Sequence, residues 1–381
     1  MAGVRGRRRG CCQRQVDTAT TTEVFVQIVA PPGSAHAEPA DCLRSFVFDA
    51  NLAAQEASGD PAASGSPRRV LQRLQGSTES RTLLFGLTDS ALGETGELGL
   101  PVISAAEPSP EIDFDGFIHI SLPLLEETEN ADIECVLSAE LLPLPGEKLE
   151  PDALEVTRAL AQEALRLTRQ LGRRTAQVGM LYPPDADYTY DPMSRAYLEL
   201  GFKRKHAEHQ LYVDIRPTPP VLGAQVWADY GIPEEFLDDV LRLLTVASTD
   251  AIFGDLSVEP IVWTRQRLAE AHARLRSRGA HTLLVGLIES GSVVALTELS
   301  RHGDADPEVC EWTLTVTDRE HRRRGLATRA KQHAQHAVAQ HWPDVRRAYC
   351  SVADADPSMN ALYARLGAHA ISASSAYELT V

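Results

Sequence analysis

The residues best suited to chemistry lie between Cys310 and Lys331, in the string CEWTLTVTDREHRRRGLATRAK. Its first part alternates. Cys310, Trp312, Leu314 and Val316 fall on one side of an extended segment, and Glu311, Thr313 and Thr315 on the other, the pattern of a half-buried strand. A polar turn follows, then Gly325, then the good helix formers Leu326, Ala327, Ala330 and Lys331. Arg322, Gly325 and Ala327 stand at R-x-x-G-x-A spacing where strand gives way to helix. A helix start exposes unpaired N–H groups and the positive end of the helix dipole. Small residues there let a phosphate approach the backbone closely, so the turn is suited to a pyrophosphate. The plainer alternative is an ordinary strand–turn–helix connection with a basic, solvated turn.

A chain of 381 residues has the length of two ordinary domains. Hydrophobic residues make up 43% and charged residues 24%, normal for a globular protein with a sizeable core. The formal charge of -16 argues against a nucleic-acid partner and suits a cationic or amine substrate. Six cysteines are scattered with no C-x-x-C pair, which points to reduced thiols and a cytoplasmic location. No apolar run is long enough to span a membrane. The basic N-terminus, MAGVRGRRRGCCQRQ, lacks the apolar stretch of a signal peptide, and residues 1–21 read as a disordered basic tail.

The elements that must position the turn follow from pattern. In the first half, strands are expected at 22–30, 81–87, 116–122, 133–142 and 175–181, with helices at 40–55, 68–75, 151–171 and 192–200. Gly201, Phe202 and Gln210–Ile215 read as a closing hairpin. The proline-rich segment Pro217–Gly223 separates residues 22–216 from residues 224–381. The second half begins again, with helices at 233–245 and 264–278, strands at 281–289 and 293–300, then the central strand, turn and helix. A strand at 347–352, a helix at 357–366 and a strand at 373–381 complete it. An internal repeat supports the division: Tyr190, Met193, Tyr197 and Gly201 have the spacing of Asp356, Met359, Tyr363 and Gly367. The fold class is α/β, two related units each built on a mixed sheet.

The HRRRGLA string, with Lys331 six residues after the glycine, resembles the acetyl-CoA-binding motif of the GNAT (GCN5-related N-acetyltransferase) superfamily, and the actinobacterial tandem GNAT proteins in particular. Asp250–Leu268, ALTELS and YARLGA extend the resemblance over most of the second half, with Ala327 in the motif's last position and Ala368 in place of the usual phenylalanine. The resemblance implies two splayed mixed sheets flanked by helices, and acetyl transfer from acetyl-CoA to a small-molecule or peptide amine by direct attack in a ternary complex. It implies that Arg322, Arg323, Arg324, Gly325, Leu326, Ala327 and Thr328 cradle the pyrophosphate, while the main chain at Val316 and Thr317 holds the pantetheine arm and the thioester oxygen. Glu311 and Glu298 are the candidate bases that neutralise the amine, because strand alternation can aim them at the cleft; the alternative for each is a solvated strand glutamate. Tyr363 stands where many such enzymes carry the tyrosine that protonates the departing thiolate; the alternative is a core tyrosine. No metal is implied, and the assembly expected is a monomer or homodimer.

The chain also departs from the pattern. Relatives commonly read T-x-N-A-x-x-N-x-x-M before the last helix, and here Val352 and Asp356 replace both asparagines, a change aimed at acceptor contacts rather than at CoA. The first half has no R-x-x-G-x-A. It reads PLPGEKLEPDALE there, where prolines remove N–H donors and Glu147, Glu150 and Glu155 would repel phosphate. The first half is therefore expected to be degenerate, shaping the acceptor site or stabilising its neighbour. The rival to an enzyme is a non-catalytic acyl-CoA-binding or regulatory protein. His333, His336 and His341 read as solvated helix histidines rather than metal ligands, and neither a serine-hydrolase elbow nor a Walker P-loop is present.

Overall fold

The computed structural model describes residues 23–381 except 63, 91–92, 143–148 and 304; the basic tail and the PLPGEK stretch lie outside the described residues. The first half runs β1 (Val24–Val29), α1 (Asp41–Ser58), α2 (Pro67–Leu74), β2 (Ser80–Thr88), β3 (Val102–Ser104), β4 (Gly116–Pro123), β5 (Asn130–Leu137), α3 (Pro151–Gln170), β6 (Thr175–Tyr182), α4 (Pro192–Glu199) and β7 (Lys203–Asp214). The second runs β8 (Ala224–Ala228), α5 (Glu234–Asp250), α6 (Arg265–Ser277), β9 (Ala280–Glu289), β10 (Ser292–His302), β11 (Val309–Thr317), α7 (Leu326–His341), β12 (Arg347–Ala353), α8 (Pro357–Arg365) and β13 (His369–Thr380). The short strands β3 and β8 were not legible from pattern.

The strands form one mixed sheet, in the order β3-β1-β2-β4-β5-β6-β13-β7-β12-β11-β10-β9-β8. The expected closing hairpin of the first half does not form. β7 instead pairs antiparallel with β12 of the second half, and β13 pairs antiparallel with β6 of the first half and with β7. Each half thus gives its last strand to the other. Both β6 and β12 offer an open antiparallel edge, and nothing in the alternation of β7 or β13 says which one it will join.

The repeat is real at the level of geometry. Asp191 and Asp356 cap α4 and α8 by accepting hydrogen bonds from the backbone N–H groups of Ser194 and of Ser358 and Met359. Gly201 and Gly367 end the helices with φ of 94° and 71°, a left-handed turn that costs glycine nothing. The N–H groups of Phe202 and Ala368 then return to the carbonyls of Tyr197 and Tyr363, and both tyrosines are buried.

The segment between α5 and α6 ties the halves further. Gly254 lies so close to β7 that a Cβ there would stand 2.1 Å from the Lys205 carbonyl oxygen. Ser257 donates its N–H and hydroxyl to the buried Glu378 on β13, and its carbonyl accepts from Asn130 of β5 at 2.8 Å. The proline-rich linker is pinned on α7: the Val221 N–H donates to His333 Nδ1 at 3.1 Å, and His336 Nδ1 meets the Thr218 carbonyl at 2.8 Å. These two histidines, expected to be solvated, hold the linker instead.

All four tryptophans (227, 263, 312 and 342) lie in the second half, whereas helix and strand are spread over both. With the terminal strands exchanged, neither half keeps its sheet when the other unfolds. Urea unfolding followed by tryptophan fluorescence and by far-UV circular dichroism is expected to give coincident transitions; two separated transitions would contradict the exchange.

Candidate acyl-CoA cleft

Register places an irregularity in the middle of β11. Leu299 faces Trp312 and Glu298 faces Leu314, so Thr313 is an extra residue, a β-bulge. Its consequence corrects the simple alternation expected from sequence. Before the bulge, Cys310 and Trp312 pack with Ala334, Val338 and Tyr363 on the α7 side of the sheet. After it, Leu314 and Val316 pack with Val240 and Leu244 on the α5 side. Parallel pairing between β11 and β12 stops at Glu311 and Tyr349, although both strands continue. A cleft of about 980 Å³ opens there, lined by Thr313 to Thr317, by the C-terminal end of α5, by the turn before α7 and by one face of α8.

The turn is built for an anion. Arg323 and Gly325 hold φ of 62° and 74°, and α7 starts at Leu326. The N–H groups of Leu326, Ala327 and Thr328 form its unpaired first turn, and these residues line the cleft. A Cβ on Gly325 would meet no atom within 4 Å, so the space before the helix is open. Asp250, at the end of α5, clamps Arg319 and Arg322, whose hydrogen bonds hold its carboxyl down at about 2. Arg324 is tied to Glu289 at 2.8 Å. Among the described residues Arg323 has no carboxylate partner, which leaves its guanidinium available to a phosphate. Thr317 contributes less than expected, since its carbonyl already accepts from Arg322 Nε at 3.3 Å. In the first half, Glu150, Pro151 and Asp152 begin α3 where Gly325, Leu326 and Ala327 begin α7, replacing donors with a proline and carboxylates.

Of the three proposed acid–base residues, only Glu298 adjoins the cleft. It is 8% exposed, and burial raises its pKa. Its carboxylate accepts from the Tyr230 hydroxyl at 2.8 Å and from the Thr313 hydroxyl at 2.7 Å, and Thr313 is a cleft residue. Glu311 is exposed, lies 3.9 Å from His302 Nε2, and sits in the paired part of β11 before the strands splay. Tyr363 is in the core. It packs with Met359 and Leu366 in the core, whereas Pro357, Ser358, Ala361, Leu362 and Arg365 line the cleft, which Met359 also reaches. Burial pushes its phenol far above the ordinary value, and its oxygen accepts from Lys331 Nζ at 2.7 Å. The expectation of a thiolate-protonating tyrosine is therefore not met by this geometry. Tyr230, Thr313 and Asp250 were missed from sequence. No local spacing marks Tyr230, and the bulge that gives Thr313 its place is a property of register. Of the two residues that replace asparagines, Asp356 serves as the cap of α8 and Val352 is buried in the core, while Asn360, off register, donates to the Ala353 carbonyl at 2.9 Å.

Residues 249–368 match the acetyltransferase (GNAT) family model. Comparison with curated protein sequences gives no significant match. Among solved structures, a tandem GNAT protein from the clavulanic acid biosynthesis pathway is 19% identical, with a TM-score of 0.64 over 94% of this chain and 98% of that one. A GCN5-related N-acetyltransferase from Sphaerobacter thermophilus is 15% identical, with a TM-score of 0.59 over 93% of this chain and 95% of that one. The glucosamine N-acetyltransferase region of a fungal multi-domain GH3 β-N-acetylglucosaminidase is 12% identical, with a TM-score of 0.55 over 95% of this chain and 38% of that one. The match thus places a GNAT-type unit within the second half, and the whole chain has the fold of tandem GNAT proteins. Among the described residues no helix is long and apolar enough to cross a membrane.

Lys331 is fully buried, its ammonium 3.7 Å from the Trp312 ring centroid, and burial lowers its pKa from 10.5 to about 7. The unfolded chain binds this proton below about pH 10, whereas the folded one does so only near pH 7. This group thus contributes a stability that rises with pH across that window, by about 1.4 kcal/mol per unit. Lys331→Met is expected to flatten the pH dependence of the urea midpoint between pH 7 and pH 10 relative to wild type. Equal slopes would show that the ammonium stays charged in the core.

Proposed function

We propose that the chain is an acetyl-CoA-dependent N-acetyltransferase acting on a primary amine, with the chemistry in the second half. The observation that carries this reading is the placement of a buried, hydrogen-bonded carboxylate, Glu298, beside a bulged strand that leads directly into an anion-binding helix start. Acetyl-CoA would lay its pyrophosphate on the first turn of α7 and Arg323, with its acyl arm along Thr313 to Val316. The amine would enter from the α5–α6 side of the sheet.

Glu298 removes a proton from the ammonium, directly or through one water, and the neutral nitrogen attacks the thioester carbon. A C–N bond forms and the C–S bond breaks. The nitrogen's second proton goes to solvent, Glu298 returns its own to solvent before the next turnover, and the thiolate takes its proton from water, because Tyr363 is buried on the core side of α8. A carboxylate raised above its ordinary range by burial is a better base at neutral pH than a solvated one. Tyr230 and Thr313 keep it fixed, and their hydrogen bonds limit how far burial raises it.

Thioester turnover with a panel of amines tests the proposal; binding of acetyl-CoA with no turnover of any amine would favour the non-catalytic reading. Glu298→Gln is expected to lower kcat by about 100-fold or more with the acetyl-CoA KM nearly unchanged. In wild type kcat/KM should fall as pH drops through the raised Glu298 pKa, and the variant should lose that limb. Tyr363→Phe is expected to keep kcat within about threefold, whereas a loss of 100-fold would restore the tyrosine as the acid.

A further inference from the structure

Arginines from the two halves meet on the α2 and α6 helices. Arg69 and Arg73 are one turn apart on α2, and Arg274 and Arg278 one turn apart at the end of α6, so each pair shares a helix face. Arg69, Arg73 and Arg278 lie close enough to repel one another, and burial together with that repulsion lowers the pKa of Arg73 and Arg278. Arg274 is bonded to Glu79 at 2.6 Å, but its Nη1 is buried without a partner, as is Arg69 Nε. Among the described residues, the guanidiniums of Arg69, Arg73 and Arg278 make no ion pair or hydrogen bond.

The neighbouring carboxylates do not discharge the cluster. Glu79 is taken by Arg274; Glu134 stands 3.8 Å from His119, and Glu311 stands 3.9 Å from His302. Glu134 and Glu311 attract Arg73, and Glu79 also attracts Arg278, but only at a distance. Arg69 and Arg278 are half-buried and Arg73 is exposed; leaving half-buried donors unmatched costs free energy unless an anion completes the set. In a chain of net charge -16, such a cluster is a local exception.

The cluster is continuous with the proposed base. Glu298 is bonded to Tyr230, whose ring lies 6.3 Å from that of His272 on α6, and Arg274 lies near enough to act on the Tyr230 hydroxyl. Arg278, Arg69 and Arg73 follow in turn. We infer, resting on the reading of Glu298 as the base, that the acceptor is an amine that also bears a carboxylate or phosphate, held by Arg69 and Arg73 of the first half and Arg278 of the second. Guanidinium forks suit either anion, and the amine end would then lie toward Glu298. The first half thereby acts as part of the acceptor site.

The full chain is assayed with acetyl-CoA and three amines of similar size: propylamine, 3-aminopropanoate and 2-aminoethyl phosphate. The wild type is expected to prefer at least one anionic amine over propylamine by about tenfold or more in kcat/KM, a gain matching one charged hydrogen-bonded contact. Which of the two is preferred assigns carboxylate or phosphate. Arg73→Gln and Arg278→Gln should collapse that ratio, and calorimetry should show that they still bind acetyl-CoA, which establishes that they are folded. Equal use of all three amines, or an anionic preference that survives both substitutions, overturns the inference. Turnover of no amine overturns the acetyltransferase reading itself. Titration of inorganic phosphate then decides the arginine site separately: binding to wild type and not to Arg69→Gln/Arg73→Gln supports it, and no binding to wild type removes it.

Discussion

One extra residue in β11 governs the second half. The bulge at Thr313 switches the strand's side chains from the α7 core to the α5 core, and it lies just past Glu311, where β11 and β12 stop pairing. The splay that follows is the cleft. The same shift brings the Thr313 hydroxyl onto Glu298, which would otherwise be a buried carboxylate held by Tyr230 alone. Cleft, base and acyl path thus share a single local irregularity, and the helix start at Gly325 supplies the anion end. A bulge of this kind costs ladder hydrogen bonds, and the packing of Trp312 on one face and Val316 on the other holds it in place.

The exchange of terminal strands gives the degenerate half a physical role. β7 forms one neighbour of β12, and β13 is itself seated between β6 and β7, so the second half's sheet is incomplete without the first. Loops of the first half also meet α6 of the second, with Arg267 gripping Glu126 and Arg274 gripping Glu79 across the boundary. The first half can therefore be indispensable as scaffold, whether or not it binds a ligand of its own.

Sequence made the phosphate turn legible because its demands are local: a strand, a glycine able to take φ of 74°, and a helix behind it. The α4 and α8 repeat was legible for the same reason, since a methionine, a buried tyrosine and a left-handed glycine recur at fixed spacing behind an aspartate cap that is shifted by one residue. The bulge was not legible, because TLTVT alternates acceptably in either register. Spacing did not decide Tyr363 either, since it lies four residues after Met359, which packs in the core and also lines the cleft. The destination of β7 and β13, and the meeting of two arginine pairs from different halves, depend on tertiary pairing that no short spacing encodes.

Calorimetric titration of acetyl-CoA into the wild type and into Gly325→Glu tests the central claim most directly. The substitution places bulk and negative charge in the open space before α7 without touching the core, since a Cβ there meets nothing within 4 Å. The account predicts binding near one site per chain in the wild type and none in the variant. No binding to the folded wild type would contradict the acyl-CoA cleft, and two sites per chain would contradict the assignment of a degenerate first half.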